Sequence, residues 1–108
     1  MSGDNKLNRH RELELRSIQL HRAVALKIAL EPAIIESTKN EISTLILKHQ
    51  ESTKYFLKWL DILSHSLSFI QEKLVEDSEE MATLRQSSPF AGVLNPRERW
   101  EIYETFRT

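Results

Sequence analysis

The chain has 108 residues, 40% hydrophobic and 29% charged, with two glycines, three prolines and no cysteine. This is the size and composition of one soluble globular domain: too short for a second core, too apolar for disorder. A formal charge of −1 argues against a dedicated nucleic-acid binder held by phosphate neutralisation. The lack of cysteine excludes a disulfide framework and a thiolate metal site.

The polar start, Met1 to Lys6, lacks the apolar core of a signal peptide, and residues 1–6 are expected to fray. The longest apolar run, Val24 to Leu30, is interrupted by Lys27 and is far too short to span a bilayer. A cytoplasmic protein without membrane contact is expected. From about Leu7 to Leu30 the pattern is helical, with Leu13, Leu20 and Val24 on one side and Leu15, Ile18, Ala25 and Ala29 on a neighbouring one. The two stripes merge between Val24 and Leu30, which predicts deeper burial towards that end. Pro32 suits the first turn of a second helix and discourages helical geometry at Glu31, so a corner falls there.

The second helix, about Pro32 to His49, places Ile35, Thr38, Ile42, Leu45 and Ile46 on one face. A break at His49–Ser52, with Ser52 as a candidate cap, is weakly signalled, and one long bent helix is the alternative. A third helix over Thr53 to Val75 has the clearest period, because Phe56, Leu60, Leu63, Leu67, Ile70 and Leu74 alternate in steps of four and three. Trp59, Ile62, Ser66 and Phe69 widen that face, so it must meet two neighbours, or one neighbour and a second copy of the chain. A homodimer through Phe56–Leu74 is therefore one expectation. Asp77 resembles an N-cap with Glu80 closing a capping box, opening a short helix to about Gln86 with Met81 and Leu84 inward. Ser87 to Leu94 reads as loop around Pro89 and Gly92. Asn95-Pro96-Arg97-Glu98 repeats the helix-start signal for a last helix over 96–107, carrying Trp100, Tyr103 and Phe106. The expected fold is a single all-α domain over 1–108, a compact antiparallel bundle of four to five helices ending in a loop–helix segment.

Enzyme chemistry finds little support in these residues. His10, His21, His49 and His65 are scattered, with no pair at the one-turn spacing of a helical zinc site. Asp61 and His65 fit a surface ion pair better than a catalytic dyad. Two isolated glycines cannot make a phosphate loop, and no serine sits in a nucleophile elbow. No catalytic residue, metal or cofactor is expected.

Three charged or aromatic groups remain. Between Lys6 and Arg22, Arg9, Arg11, Arg16 and Arg22 could contact phosphates, although Glu12 and Glu14 interleave as on a solvated helix face. The acidic run Glu72, Glu76, Asp77, Glu79 and Glu80 suits a helix start or a basic partner. The segment from Leu84 to Trp100 concentrates two prolines, one glycine, aromatic residues and three arginines. In one reading Pro89, Phe90, Val93 and Leu94 insert into a partner while Arg85, Ser88, Arg97, Arg99 and Trp100 surround them, these being residue types common in binding hot spots. In the other, Phe90, Val93 and Leu94 fold back as a lid, and Trp100 and Tyr103 complete the core.

The stretches Arg11–Ser17, Leu20–Ala25 with Lys27-Ile28, Tyr55–Trp59, Glu76–Glu79 and Leu84–Trp100 with Ile102-Tyr103 resemble a bacterial family of small helical proteins. The match covers most of the chain, is strongest at the C-terminal block and is weak over Ser37–Lys54. Members look like the small cytoplasmic partner of a two-gene cassette, similar to antitoxins of toxin–antitoxin pairs. The resemblance implies a protein-binding inhibitor, and the mechanism expected of it here is steric, the Ser87–Leu94 loop with Arg97, Arg99 and Trp100 covering a partner's active site. The alternative is a DNA-binding regulator using Arg9, Arg11, Arg16 and Arg22.

Overall fold

A computed structural model describes residues 2–90 and 92–106, with side chains from residue 8 onwards. Among them lie six α-helices and no strand: α1 (Ser2–Leu30), α2 (Ala33–Lys48), α3 (Thr53–Leu63), α4 (Leu67–Leu74), α5 (Glu79–Gln86) and α6 (Pro96–Glu104), with a short 3-10 turn at Gln50–Ser52. The protein is all-α, as expected. α1 begins at Ser2, ahead of the Leu7 start and within the stretch expected to fray; Met1 lies outside the described residues. Its 29 residues span roughly 43 Å at helical rise, matching the longest dimension of the molecule, 44 Å. The first helix is the spine on which the rest is mounted.

The buried stripe of α1 is narrower than the sequence pattern suggested. Ile18, His21, Val24, Ala25 and Ile28 face inward, whereas Leu13, Leu15, Leu26 and Leu30 remain exposed. α4 lies along this stripe, and the Gln71 side-chain amide donates to the Ala25 carbonyl at 3.0 Å. α2 contributes Ile42 and Thr38, following a corner at Glu31–Pro32 where the Glu31 amide closes on Lys27. Pro32 sits just before the helix rather than in its first turn.

The long third helix is interrupted. Ser64, His65 and Ser66 break it, which raises the helix total from five to six. The serines explain why, since short hydroxyl side chains compete for helical backbone groups. Ser64 donates its hydroxyl to the Asp61 carbonyl at 2.6 Å, ending α3, and Ser66 accepts from the Phe69 amide at 3.3 Å, starting α4. The heptad-like spacing survives the break because both halves bury their stripe against the same core. Of the six seam residues Phe56, Leu63, Ile70 and Leu74 are buried within the chain, Leu60 is half-buried and Leu67 is exposed.

The start of α5 also differs. Ser78, not Asp77, is the N-cap and accepts from the Met81 amide at 3.2 Å. Asp77 instead meets Arg11 through two bonds of 2.9 and 2.6 Å, and Glu80 lies 3.9 Å from Lys58. The capping box at Asn95 forms as expected. Asn95 Oδ1 accepts from the Glu98 amide at 2.8 Å, and Glu98 accepts from the Asn95 amide at 2.9 Å.

One core receives Val24, Ala25 and Ile28 from α1, Trp59 and Leu63 from α3, Ile70 and Leu74 from α4, and Met81 and Leu84 from α5. Trp59, wholly buried, donates its indole N–H to the Leu84 carbonyl at 3.0 Å and fastens α3 to the end of α5. Leu74→Ala should therefore cost about 2–5 kcal/mol in urea unfolding, while Leu57→Ala, on the exposed side of α3, should stay within about 0.5 kcal/mol.

Candidate functional site: a groove along the first helix

The Ser87–Leu94 loop does not project. Phe90 is 3% exposed, Leu94 6% and Arg85 5%, and Pro89 is buried with them. The expectation that Pro89, Phe90 and Leu94 insert into a partner is therefore corrected, because their apolar surface is spent closing the end of this chain's own core. Val93 is half-buried beside them. Trp100 does not complete the core as the lid reading supposed, being 55% exposed. Tyr103 is half-buried beneath the Arg16 guanidinium, whose central carbon lies 4.7 Å from the ring centre.

Two polar ties hold the loop against α1. Lys27 donates to the Val93 carbonyl at 2.8 Å and pairs with Glu98 at 2.9 Å. Glu98 thus serves both the cap of α6 and the anchoring of α6 to α1, and its carboxyl is held below the usual range by the Asn95 amide and then by Lys27. The second tie is His21. Its Nδ1 lies 2.8 Å from the Ser17 carbonyl and its Nε2 2.8 Å from Ser88 Oγ. A carbonyl only accepts, so Nδ1 carries the proton. In the neutral ring Nε2 then accepts from the Ser88 hydroxyl, which itself accepts from the Phe90 amide at 3.2 Å. The imidazole stacks towards Trp59 and meets the edge of Phe90, with centroids 6.4 and 6.5 Å apart.

Burial, with help from the nearby Arg85 charge, pushes the His21 pKa down to about 4, against the pull of its bond to the Ser17 carbonyl. A hydroxyl on an imidazole nitrogen has the outline of a nucleophile and its base. A base that weak takes up little proton near neutrality, and a backbone carbonyl stands where a carboxylate would stabilise the imidazolium. The arrangement works as a clip. The sequence offered His21 as an addition to the basic face when protonated, or as a core-edge residue; the structure buries it in the inward stripe of α1.

Beside the clip lies a cavity of about 290 Å³ between α1, the end of α5, the loop and α6. Leu20, Val24, Phe90 and Leu94 supply its apolar lining, and Arg85, Ser88, Arg99 and Tyr103 its polar one. A second concavity of about 370 Å³, lined by His10, Leu13, Glu14 and Ala82 among others, shares Ser17, Arg85 and Gln86 with it. The two adjoin at these residues, one after the other along α1 from His10 to Val24, and are together called the groove. Of the residues singled out in the C-terminal segment, Arg85, Ser88, Phe90, Leu94 and Arg99 meet here. Pro89 and Val93 line a different concavity against α2. Arg97 and Trp100 lie on the outer side of α6, where Arg97 is 3.6 Å from Glu101.

The basic residues of α1 do not make one face. At about 100° per residue, Arg9 and Arg16 fall within about 20° of each other, as do Arg11 and Arg22, but the two pairs stand roughly 150° apart. Arg11 is also held by Asp77 and Glu14, and Arg16 covers Tyr103. The acidic run is likewise divided, with Glu76 bonded to Lys73 and Ser78 and Asp77 to Arg11. His65 and Asp61 form the expected exposed pair at 3.9 Å.

The class that fold and site define is an all-α domain with a grooved first helix and a clipped C-terminal loop. No protein-family model, curated protein or solved structure matches the chain.

The clip makes stability pH-dependent with a definite sign. The folded state holds the His21 pKa at about 4, below the ordinary 6.5, so between those values the unfolded chain binds the extra proton. Stability should be complete above pH 6.5 and fall by up to about 3 kcal/mol as pH drops to 4. Urea unfolding across that window measures the loss, and imidazole NMR should show the Nδ1–H tautomer with a midpoint near 4. Ser88→Ala should cost about 1–2 kcal/mol at pH 7 by leaving Nε2 without its donor.

Proposed function

We propose that the chain is a protein-binding module, an antitoxin-type inhibitor that seats a segment of its partner in the groove along α1. The groove itself carries this reading. It is elongated, presents Leu13, 46% exposed, at one end, and offers an apolar floor flanked by guanidinium groups at the other. Grooves of that composition accept a helical or extended segment through a few apolar anchors. Its walls are already fixed by the His21 and Lys27 ties, so docking costs little ordering. Inhibition follows if the seated segment belongs to, or borders, the partner's working site. The DNA-binding alternative loses support, because the four arginines are divided between two sides of α1 and Arg11 is neutralised by carboxylates.

A photo-cross-linking residue at Leu13, compared with one at the exposed Leu47 of α2, tests the reading in cells. The Leu13 position should yield one protein adduct and the Leu47 position none. With that partner purified, Leu13→Asp should weaken binding at least about tenfold, the loss of one buried leucine anchor, and relieve inhibition while the melting temperature stays unchanged. Equal adducts from both positions, or an adduct to nucleic acid with binding that collapses as salt rises, would overturn it.

A further inference from the structure

Arg85 is a buried cation without a carboxylate of its own. It is only 5% exposed, and its one hydrogen bond among the described residues runs from Nη1 to the Leu74 carbonyl at 3.1 Å. Its Nε–H is sealed from solvent with no acceptor at all. Nη2, also without a partner among the described residues, is not sealed in this way. Asp77, Glu14 and Glu76 lie close enough to favour its charge, but each is committed elsewhere. Asp77 and Glu14 pair with Arg11 at 2.6 and 3.2 Å, and Glu76 pairs with Lys73 at 3.1 Å and Ser78 at 2.7 Å. Burying a guanidinium in this state is costly unless something completes it.

The cavity beside it has the matching deficit. Arg85 and Arg99 both line it, His21 presents a neutral ring, and no carboxylate is among its lining residues. Nε stays sealed, so Nη2 is the unpartnered nitrogen left to donate a charge-assisted bond to a carboxylate. Leu20, Val24, Phe90 and Leu94 suit the methylene stem behind such a group.

We propose that this cavity is a carboxylate-binding subsite, which receives an acidic side chain of the docked segment on Arg85 with Arg99 beside it. The proposal rests on the protein-binding reading and names the chemistry of the partner: an acidic residue among apolar anchors. Both arginines come from the Leu84–Trp100 segment, and Arg85 supplies the charge that the interior has left unanswered.

Hexanoate, a carboxylate on a short apolar chain, is the probe, with hexanamide and inorganic phosphate as comparisons. Titrated into isotope-labelled protein, hexanoate should shift the Arg85 and Arg99 side-chain N–H resonances saturably, and hexanamide should not. Arg99→Gln, at a half-buried position, should weaken hexanoate binding about tenfold, the worth of one charge-assisted hydrogen bond. Arg85→Gln should abolish it, and if that variant unfolds, Arg99→Gln and the wild-type shifts decide the matter. The subsite is overturned if hexanamide matches hexanoate, if phosphate binds and hexanoate does not, or if Arg99→Gln leaves the affinity unchanged. A cross-linked partner whose affinity ignores Arg99→Gln, without hexanoate binding, removes the subsite and leaves groove docking standing. Hexanoate binding with no adduct at Leu13 does the reverse.

Discussion

The C-terminal third of this protein depends on one neutral imidazole. His21 is placed so that Nδ1 donates to the Ser17 carbonyl and, in the neutral ring, Nε2 accepts from the Ser88 hydroxyl. Burial selects that neutral ring, with the lone pair of Nε2 on Ser88. That bond fixes where the loop begins, because the same hydroxyl also takes the Phe90 amide and so turns the ring of Phe90 inward. Phe90 then meets Trp59 edge-on at 5.7 Å, while the Trp59 indole holds the end of α5. A polar contact between a helix and a loop thus sets the position of two buried aromatic rings. An imidazolium would have to surrender the Ser88 hydroxyl as a donor and sit charged among apolar neighbours, close to a guanidinium. Burial keeps the ring neutral, and neutrality keeps the loop in place.

Legibility in the sequence followed the nature of the signal. The amphipathic face of α2 and the start of α6 were readable because they depend on residues within a few positions of one another. Asn95, Pro96 and Glu98 specify their own geometry, and the capping box forms as written. The errors fell where two local solutions compete. Asp77 and Ser78 can both cap a helix, and a residue sixty-six positions away decided the matter, since Arg11 takes the carboxylate and leaves the cap to serine. The break at Ser64–Ser66 leaves no mark in the pattern, because an apolar period of three and four persists through it when both halves face the same core.

The site was legible in membership more than in direction. Prolines, aromatics and arginines did mark the segment that builds the cavity wall, but composition does not say whether Phe90 faces in or out. That choice depended on His21, far away in sequence and unremarkable alone. The arginines divide for a related reason. Arg11 protrudes from α1 and finds Asp77 across the surface, so the pair is exposed and screened. Arg85 points inward from a short helix whose first turn is acidic, and it takes a backbone carbonyl instead. Counting charges along the chain gives these two residues the same weight; their surroundings give one a partner and leave the other incomplete.

The same division bears on the docking proposed for the groove. A loop that ordered only on contact would charge the complex for fixing its backbone, about 1–2 kcal/mol per residue. Here the ordering is met within the fold, by Lys27 at one end of the loop and His21 at the other, so the cavity wall is fixed by the chain itself. The tension that remains is electrostatic. A half-satisfied guanidinium is tolerated inside the protein because three carboxylates sit near it without bonding to it, which lowers the cost of its charge while leaving Nη2 without a partner among the described residues. Had Asp77 turned inward to pair with Arg85, the interior would be better satisfied and the groove would have lost its cation. Arg11 instead holds Asp77 at the surface, in an exposed ion pair that adds little stability of its own.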